Sequence, residues 1–276
     1  MFSVVIPTCD RNDLLALCLD RLSPRKQTLN ESDYEVIVTD DGSNGMSREL
    51  VRNHFPWARW IRGPRKGPAA NRNNGAKHAH ADWLVFTDDD CLPGKDFLAG
   101  YFHAVNKGEA DVLEGRTSPS SVRPRVDMEC PANETGGYLW SCNMAIRKSV
   151  FDELGGFDEN FPGPAMEDVD FRLRLLKAGK IIRFVPEALV LHPWRFRKGK
   201  EHVKLVNASI VYFLRKHPEQ RVNFTFSSLG MALMRRLLSH LPKSALQCNG
   251  RGWINESFHV THSTWMLYFA VRRSSR

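Results

Sequence analysis

One apolar segment of this chain ends in three consecutive carboxylates. Residues Trp83–Thr87 are β-branched, aromatic or leucine, which predicts a buried strand, and Asp88, Asp89 and Asp90 follow before Pro93 stops any continuation. Three adjacent carboxylates repel one another, so a fold that keeps them at a strand end needs a compensating cation. Because ligands bind at the carboxyl ends of strands in α/β sheets, the segment predicts a divalent metal holding a phosphorylated ligand.

Strand-like and helix-like segments alternate along the first part of the chain. Short β-branched runs are separated by segments in which apolar residues recur at helical spacing, such as Leu15, Leu19 and Leu22. This alternation is typical of an α/β fold with a doubly wound, mostly parallel sheet flanked by helices. The predicted strands cover residues 2–6, 34–38, 58–61 and 83–87, and the predicted helices cover 14–22, 46–53 and 68–81.

The pattern changes after Leu113. Residues 117–137 are rich in Ser, Pro, Gly and Arg, which predicts a long loop. From about residue 200 onward the chain is helical in pattern, basic and apolar. Between these parts we expect strands at 142–146, 181–185 and 188–191, and helices at 149–154 and 167–178.

Charge and cysteine content narrow the function only slightly. The 276 residues carry a formal net charge of +8, which suits a phosphorylated ligand, an anionic membrane or nucleic acid equally well. The six cysteines show no CxxC or CxxH spacing, so neither a zinc module nor a dense disulfide framework is expected. Without a signal peptide or a run of roughly 18 apolar residues, the cytoplasm is the expected location.

Three other polar groups stand near the ends of predicted elements, and each has an ordinary structural interpretation. Asp40 and Asp41 precede Gly-Ser, a sequence that favours a turn. Glu167 and Asp168 start a predicted helix, where acids complement the helix dipole. His192 precedes a proline, and a single histidine there is usually structural. Each group alone therefore leaves function open.

Taken together, seven motifs in this order resemble family 2 glycosyltransferases, a large group with the GT-A fold. The resemblance covers roughly residues 2–193, and although each motif alone is weak, their order and spacing are specific. The motifs are Ser3-Val-Val-Ile-Pro-Thr-Cys-Asp-Arg11, Asp40-Asp-Gly-Ser43, Ala70-Asn-Arg-Asn-Asn-Gly75, Phe86-Thr-Asp-Asp-Asp90, Asn143-Met-Ala-Ile-Arg147, Gly155-Gly-Phe-Asp-Glu159 and Glu167-Asp-Val-Asp-Phe-Arg172.

This resemblance implies an inverting glycosyltransferase that uses a nucleotide-diphosphate sugar and a divalent cation, Mg²⁺ or Mn²⁺. It assigns Asp168 as the general base that removes a proton from the acceptor hydroxyl. The other roles that it implies are nucleotide binding by Thr8, Asp40, Asp41, Arg72 and Asp89, metal binding by Asp88, Asp90 and His192, and acceptor binding by Trp140, Asn143 and Glu167.

Three features depart from the family pattern. Asp10 stands where an Asn is common, which affects the finer nucleotide contacts. Asn71 is inserted between Ala70 and Arg72. The triplet also leaves open which two of its three carboxylates touch the metal.

The expected partners follow from the same resemblance. UDP is the family's commonest nucleotide, with GDP and dTDP left open, and the acceptor is a glycan, a lipid-linked molecule or a protein. A nucleotidyltransferase-like or catalytically inactive nucleotide-binding protein of the same fold is the alternative. No GxGxxG follows a strand, which disfavours a dehydrogenase, and carboxylates repel a phosphate backbone, so no nucleic acid is expected.

The chain is expected to divide near residue 198. Residues 1–198 form the glycosyltransferase domain, with a nucleotide-sugar half over about 1–115 and an acceptor half over about 116–198, and residues 199–276 form a helical, basic extension. In that extension Leu229, Leu233 and Leu237 recur every four residues beside Arg235. Two interpretations stay open: an amphipathic helix lying peripherally on the inner face of an anionic membrane, or packing against the catalytic domain.

Overall fold

The computed structural model describes residues 1–108 and 110–274. Glu109 and the last two residues of the predicted extension lie outside the described residues. Packing divides the chain into two units, which we call the sheet unit and the helical unit. The sheet unit comprises Met1–Ser118, Pro131–Glu159 and Glu167–Pro193, and the helical unit comprises Pro119–Cys130, Asn160–Met166 and Trp194–Arg276.

Ten strands and ten α-helices follow one another along the described chain. The strands are β1 (Phe2–Thr8), β2 (Tyr34–Asp40), β3 (Arg59–Arg62), β4 (Trp83–Thr87), β5 (Leu92–Pro93), β6 (Val112–Pro119), β7 (Met128–Glu129), β8 (Asn143–Arg147), β9 (Ile182–His192) and β10 (Arg195–Phe196). The helices are α1 (Asn12–Leu22), α2 (Met46–His54), α3 (Pro68–Lys77), α4 (Phe97–Asn106), α5 (Lys148–Glu153), α6 (Glu167–Lys177), α7 (Lys200–Lys216), α8 (Phe226–Arg235), α9 (Leu241–Gln247) and α10 (Trp253–Ser274).

The sheet unit is built on an eight-stranded sheet in the order β3-β2-β1-β4-β8-β6-β9-β5. The first four strands in that order pair in parallel, whereas β8 pairs antiparallel with both β4 and β6. Parallel strands need crossover connections, and helices α1, α2 and α3 occupy the connections between β1, β2, β3 and β4. The predicted α/β sheet flanked by helices is therefore confirmed.

Alternate residues of the central strands point into two separate apolar layers. Val4 and Ile6 of β1 pack in a cluster with residues of α1 and α4, while Val5 packs in a second cluster with residues of α3, α5 and α6. This alternation is what a pleated strand covered on both faces requires. Burying each large apolar side chain contributes about 1.5–3 kcal/mol, so both layers hold the sheet and its polar edge in place.

Two segments differ from their prediction. Residues 182–192 form the single strand β9, where two short strands were predicted on either side of Pro186. A proline removes one ladder donor but adopts extended backbone, and Pro186 is exposed, so its missing N–H leaves no buried acceptor unmet. Within the predicted loop 117–137, Thr117 and Asn133 form a two-way backbone bridge.

The helical unit contains α7–α10 and the two-stranded pair β7-β10, and it buries few apolar side chains. Its small apolar cluster contains Val126, Leu241 and Cys248. A π-helical turn over Arg236–His240 joins α8 to α9. Among the described residues, no helix combines the length and the apolar character that crossing a membrane requires. The prediction of a helical C-terminal segment is confirmed.

Candidate active site

The polar ends of three neighbouring strands lie side by side at one edge of the sheet. Thr8 pairs in register with Asp40 at the ends of β1 and β2, and β4 lies on the other side of β1 and leads into the carboxylate triplet. Strand β8 runs the opposite way, so that Asn143 at its start pairs with Thr87 at the end of β4. The parallel topology thus brings together residues that are far apart in the sequence.

Asp89, the middle carboxylate of the triplet, is fully buried and is held by this chain's own donors. It accepts a hydrogen bond from Thr8 Oγ1 at 2.7 Å and from Arg11 Nε at 3.1 Å, and Arg11 Nη2 also contacts it. Burial raises the pKa of Asp89 to about 7, even though Arg11 and Thr8 both favour the charged form. Asp89 and Thr8 therefore brace the strand ends from inside, and their assigned nucleotide roles stay predictions.

Asp40 shapes the turn that follows β2. Its carboxylate accepts the N–H of Gly42 at 2.7 Å and the hydroxyl of Ser47 in α2. A Cβ on Gly42 would stand 2.8 Å from Asp40 Oδ1, so only glycine fits there without displacing a neighbour. Asp40 is buried, and its contacts are structural ones.

Asp41 is half-buried and accepts backbone N–H groups of the segment between β3 and α3. The donors are Arg65, at 2.8 Å, and Gly67, at 3.1 Å. Burial raises the pKa of Asp41, and these two hydrogen bonds oppose the rise. The side chain that we expect to meet a nucleotide base therefore also fixes the neighbouring segment 65–67.

Asn71 of α3 ties the ends of β1 and β2 together. Its amide donates to Thr39 O at 2.9 Å and to Thr8 O at 3.3 Å, and its Oδ1 accepts the Thr39 hydroxyl at 2.6 Å. Asn71 is buried, so these bonds satisfy carbonyl groups that water would not reach. The residue that we expect to be an insertion relative to the family pattern therefore holds the ends of β1 and β2 together, and we call it the strand-end clamp.

Arg72 connects the triplet with the start of α6. Its Nη2 lies 2.6 Å from Asp88 Oδ1 and its Nη1 lies 3.5 Å from Glu167 Oε1. Burial alone would lower the pKa of Arg72, but the charges of Asp88, Glu167 and Asp168 outweigh it and raise the pKa. This guanidinium is a fixed cation shared by two groups of carboxylates.

Glu167 and Asp168 form the first turn of α6, as the sequence predicts. Burial raises the pKa of Glu167 to about 7, while Arg72 opposes the rise. Burial also raises the pKa of Asp168, whose Oδ1 accepts the N–H of Val169 at 2.8 Å. Glu167 Oε2 is buried without a hydrogen-bond partner among the residues that the structure describes. A carboxylate whose pKa is raised in this way is better suited to accept a proton near neutral pH.

Asp90 and His192 offer ligand atoms of the kind that divalent cations prefer. His192 is buried, and its Nδ1 lies 2.8 Å from the carbonyl oxygen of Pro193, which can only accept. In the neutral tautomer Nε2 therefore carries the lone pair, and Nε2 lies 3.5 Å from Asp90 Oδ1. The Cys91 thiol completes a group whose ligand atoms lie within 4.8 Å of one another.

This donor set fits Mg²⁺ or Mn²⁺. Carboxylate oxygens suit both ions. A histidine that binds a metal through one ring nitrogen usually donates the other N–H to a carbonyl, as His192 does here. Asp88 remains partly accessible, with 23% of its side chain exposed, whereas Asp89 is enclosed. Asp90 and His192 are the carboxylate and imidazole ligands that the structure brings together, whereas Asp88 is paired with Arg72, so its metal role stays a prediction.

The predicted acceptor residues lie in two different environments. Trp140 is half-buried and stacks on Tyr138 with ring centroids 5.2 Å apart. Asn143 is buried; its amide donates to Arg116 O and Ala188 O, and its Oδ1 accepts the hydroxyl of a buried tyrosine. Trp140 belongs to an aromatic pair that reaches the surface, whereas both N–H groups of the Asn143 amide are already used inside the fold.

Three residues of the site were missed by the sequence reasoning. Arg11 neutralises the triplet, Glu114 accepts the backbone N–H groups of residues 137–139, and Cys91 adjoins the cation ligands. The only available signals were the position of Arg11 in the first motif, an acid directly after the apolar pair Val112-Leu113, and the adjacency of Cys91 to the triplet.

Comparison with known proteins gives a consistent result. The family model described as "Glycosyl transferase family 2" matches residues 3–155, and a second one, "Glycosyltransferase like family 2", matches residues 139–215. A validoxylamine A glucosyltransferase of Streptomyces hygroscopicus subsp. limoneus is 28% identical over 265 residues, covering 79% of this chain and 57% of the relative. A pre-mycofactocin glycosyltransferase of Mycobacterium tuberculosis is 29% identical over 263 residues, covering 86% of this chain and 52% of the relative.

Solved structures show the same fold. The mannosyltransferase PcManGT from Pyrobaculum calidifontis, in complex with GDP-Man and Mn²⁺, aligns with a TM-score of 0.63 and 16% identity over 97% of this chain and 86% of that one. TarS 1-349 of S. aureus, in complex with UDP-GlcNAc, aligns with a TM-score of 0.61 and 18% identity over 100% of this chain and 91% of that one. These likenesses establish the GT-A type of fold. The chain spans little more than half the length of the two curated relatives named above.

Proposed function

This chain belongs to glycosyl transferase family 2, and we propose that it transfers a sugar from a nucleoside-diphosphate donor to an acceptor hydroxyl with inversion at the anomeric carbon. One observation carries the proposal. Arg72 bridges Asp88 of the triplet and Glu167 of α6, so that the carboxylates suited to a cation and the carboxylates suited to proton removal belong to one charged cluster. A transferase needs both chemistries beside the same anomeric carbon.

We assign the donor to the edge formed by β1, β2 and β4. Asp88, Asp90 and His192 would hold Mg²⁺ or Mn²⁺, and the bound cation would neutralise charge on the leaving nucleoside diphosphate. Arg72 would meet the diphosphate or the ribose as a second positive group. Asp41, with Asp40 shaping its turn, would hydrogen-bond the nucleotide base.

Asp168 is the proposed general base. Burial raises its pKa, which favours uptake of the acceptor's proton near neutral pH. In a single displacement the acceptor oxygen forms its bond to the anomeric carbon as the bond to the diphosphate oxygen breaks, and the proton passes to Asp168. Attack from the face opposite the leaving group inverts the anomeric configuration. Glu167, Trp140 and Asn143 are the proposed acceptor-side residues.

The proposed donor nucleotide is UDP, and the proposed acceptor is a hydroxyl of a glycan, a lipid-linked molecule or a protein. Both glycosylated small molecules and polymers are represented among the names of the relatives, which include a poly(ribitol-phosphate) beta-glucosyltransferase of Bacillus spizizenii. A carboxylate-rich edge repels a bare phosphate backbone, so nucleic acid is not a proposed partner.

A donor panel tests the proposal. Purified protein is melted with UDP, GDP or dTDP, in Mn²⁺ and in EDTA, and the matching nucleotide sugars are then assayed for nucleoside diphosphate release. One nucleotide should raise the melting temperature only with the cation, because a ligand that binds the native state stabilises it. Its sugar nucleotide should be turned over, and the released sugar should have the opposite anomeric configuration by NMR.

Two variants separate binding from chemistry. Asp168→Asn should keep the nucleotide-dependent shift and lose nearly all turnover, while Asp152→Asn, at an exposed aspartate of α5, should behave as wild type. Normal turnover by Asp168→Asn would show that the base is another residue. Nucleotide binding without turnover of any donor would favour the inactive nucleotide-binding alternative, and release of inorganic diphosphate from a nucleoside triphosphate would favour a nucleotidyltransferase.

A further inference from the structure

The positive charge of this protein is concentrated in its last 78 residues. Residues 199–276 contain twelve Lys and Arg against three Glu, a formal +9, whereas residues 1–198 contain 27 basic against 28 acidic residues. The basic excess is therefore not a property of the candidate active site. A segment with this charge attracts an anionic partner of its own.

The three acids of this segment are already paired with basic groups. Glu256 is buried and binds Arg197 at 2.7 Å and Arg236 at 2.8 Å. Glu201 lies 2.7 Å from Lys204, and Glu219 lies 3.8 Å from the ring of a histidine. The acids therefore do not offset the remaining basic side chains, which include Arg272 and Arg273 at the exposed end of α10.

The same segment exposes an unusual number of large apolar side chains. Among the described residues from 199 onward, twelve such side chains are more than 40% exposed. Four of them follow one another along α10 at positions 254, 258, 265 and 269: Ile254, Phe258, Trp265 and Phe269. At 100° per residue these positions lie within about 60° of one another on the helix. We call this set the α10 face.

The opposite side of α10 is the side that packs. Glu256, Val260 and Val271 are its buried residues, and they lie on the side away from Ile254. Phe226 of α8 extends the α10 face, because the centroid of its ring lies 6.4 Å from that of Trp265 and 5.3 Å from that of Tyr268. The solvent-exposed face of α10 is thus mostly aromatic, and Arg272 and Arg273 lie at its end.

We propose that the helical unit binds an anionic lipid bilayer through the α10 face, with α10 lying in the plane of the interface. Trp and Tyr rings favour the headgroup region, and an exposed apolar helical face flanked by Arg is the arrangement that inserts there. Anionic lipid headgroups complement the +9 segment, whereas a second copy of the same basic surface would meet like charge. The proposal rests on no part of the transfer reaction.

Vesicle co-sedimentation tests the proposal. The full chain is mixed with sucrose-loaded vesicles of phosphatidylcholine alone and of equal parts phosphatidylcholine and phosphatidylglycerol. Binding should be strong to the anionic vesicles, weak to the neutral ones and reduced by high salt, which screens the headgroup charge. Trp fluorescence should shift to shorter wavelength as Trp265 enters the interface.

Matched variants assign the binding to the α10 face. Replacing Ile254 and Phe258 together by Ser should weaken vesicle binding at least about tenfold, since each buried apolar side chain contributes more than a kilocalorie. Arg272→Ser should weaken it about fivefold. The controls are Leu17→Ser on α1, where the leucine is 54% exposed, and Lys107→Ser, at an exposed lysine of the sheet unit.

Several outcomes would overturn the proposal. Equal binding to neutral and anionic vesicles would refute the role of the anionic headgroups. Binding to neither, by protein shown to be folded by circular dichroism, would refute a bilayer partner. Self-association without lipid that the Ile254→Ser/Phe258→Ser variant abolishes would identify the face as a contact between copies. Loss of binding in the Leu17→Ser control to the same extent would show that the effect is not specific to α10.

Discussion

Replacing Glu114 by glutamine would test how the segment leading to the aromatic pair is held. The buried Glu114 carboxylate accepts the amide of Asn133 at 2.7 Å, the N–H groups of Gly137 and Tyr138 at 2.7 Å each, and the N–H of Leu139. These four bonds fold residues 133–139 around one side chain of β6. Trp140 follows directly and stacks on Tyr138.

The expected loss follows from the hydrogen-bond pattern. Glutamine has one oxygen that can still accept, but its amide nitrogen would face another N–H donor at the position of the second oxygen. One buried donor left without an acceptor costs about 1–3 kcal/mol. For a unit of this size that corresponds to roughly 2–12 °C in melting temperature. Glu114→Ala orphans all four donors and should cost more.

Thermal melting followed by circular dichroism is the assay, and Glu134→Gln is the control, since Glu134 is exposed in the same segment. The Glu114 variant should also keep the cation-dependent nucleotide shift, because the hydrogen bonds of Glu114 go to residues 133–139, none of which we assign to the donor. Unchanged melting of Glu114→Gln would refute the four-bond arrangement, and an equal loss in Glu134→Gln would show that any amide in this segment is disruptive.

Other variants test the strand-end clamp, the glycine beside it, the cation ligands and one ion pair. Asn71→Ala should lower the melting temperature, because each carbonyl left unpaired costs about 1–3 kcal/mol. Gly63→Ala should reduce both stability and nucleotide binding in the melting panel, since its Cβ would meet a carboxylate oxygen at 2.3 Å. His192→Ala should reduce the rise in melting temperature that nucleotide causes in Mn²⁺. In EDTA, nucleotide should change the melting temperature of the variant no more than that of wild type. The bidentate hydrogen bond from Arg125 lowers the pKa of Asp127 to about 2 from an ordinary 3.8, so this ion pair stabilises the fold above pH 4 and the stabilisation is lost as pH falls towards 2. The melting temperature of wild type should therefore fall more between pH 4 and pH 2 than that of Asp127→Asn. Equal falls in the two proteins would contradict this.

The parts of the fold that the sequence predicts correctly rest on local signals. Strand β4 is an unbroken apolar run ended by charge, and α6 begins at Glu167 as predicted because acids and an apolar stripe coincide there. Pro186 misled the prediction of β9, since a proline breaks a buried strand but is tolerated at an exposed position.

The parts that it misses depend on partners distant in the chain. Arg11 meets Asp89 across 78 residues, and Glu114 meets Leu139 across 25. Neither residue carries a local pattern that names its partner, because the contact exists only after the sheet has brought β1 beside β4 and β6 beside the segment 133–139. The order of motifs predicted which residues share an edge, whereas the internal salt bridges among them are evident only in the folded structure.

The two arginines beside the triplet also affect how strongly a cation could bind there. Arg72 and Arg11 already compensate Asp88, Asp89 and Asp90, so a metal ion that bound there would compete with tethered guanidinium groups. The apparent affinity for the ion would therefore be lower than the same ligands would give without those competitors. A diphosphate that draws Arg72 onto its own oxygens removes one competitor, so nucleotide and cation should each strengthen the binding of the other to the same degree.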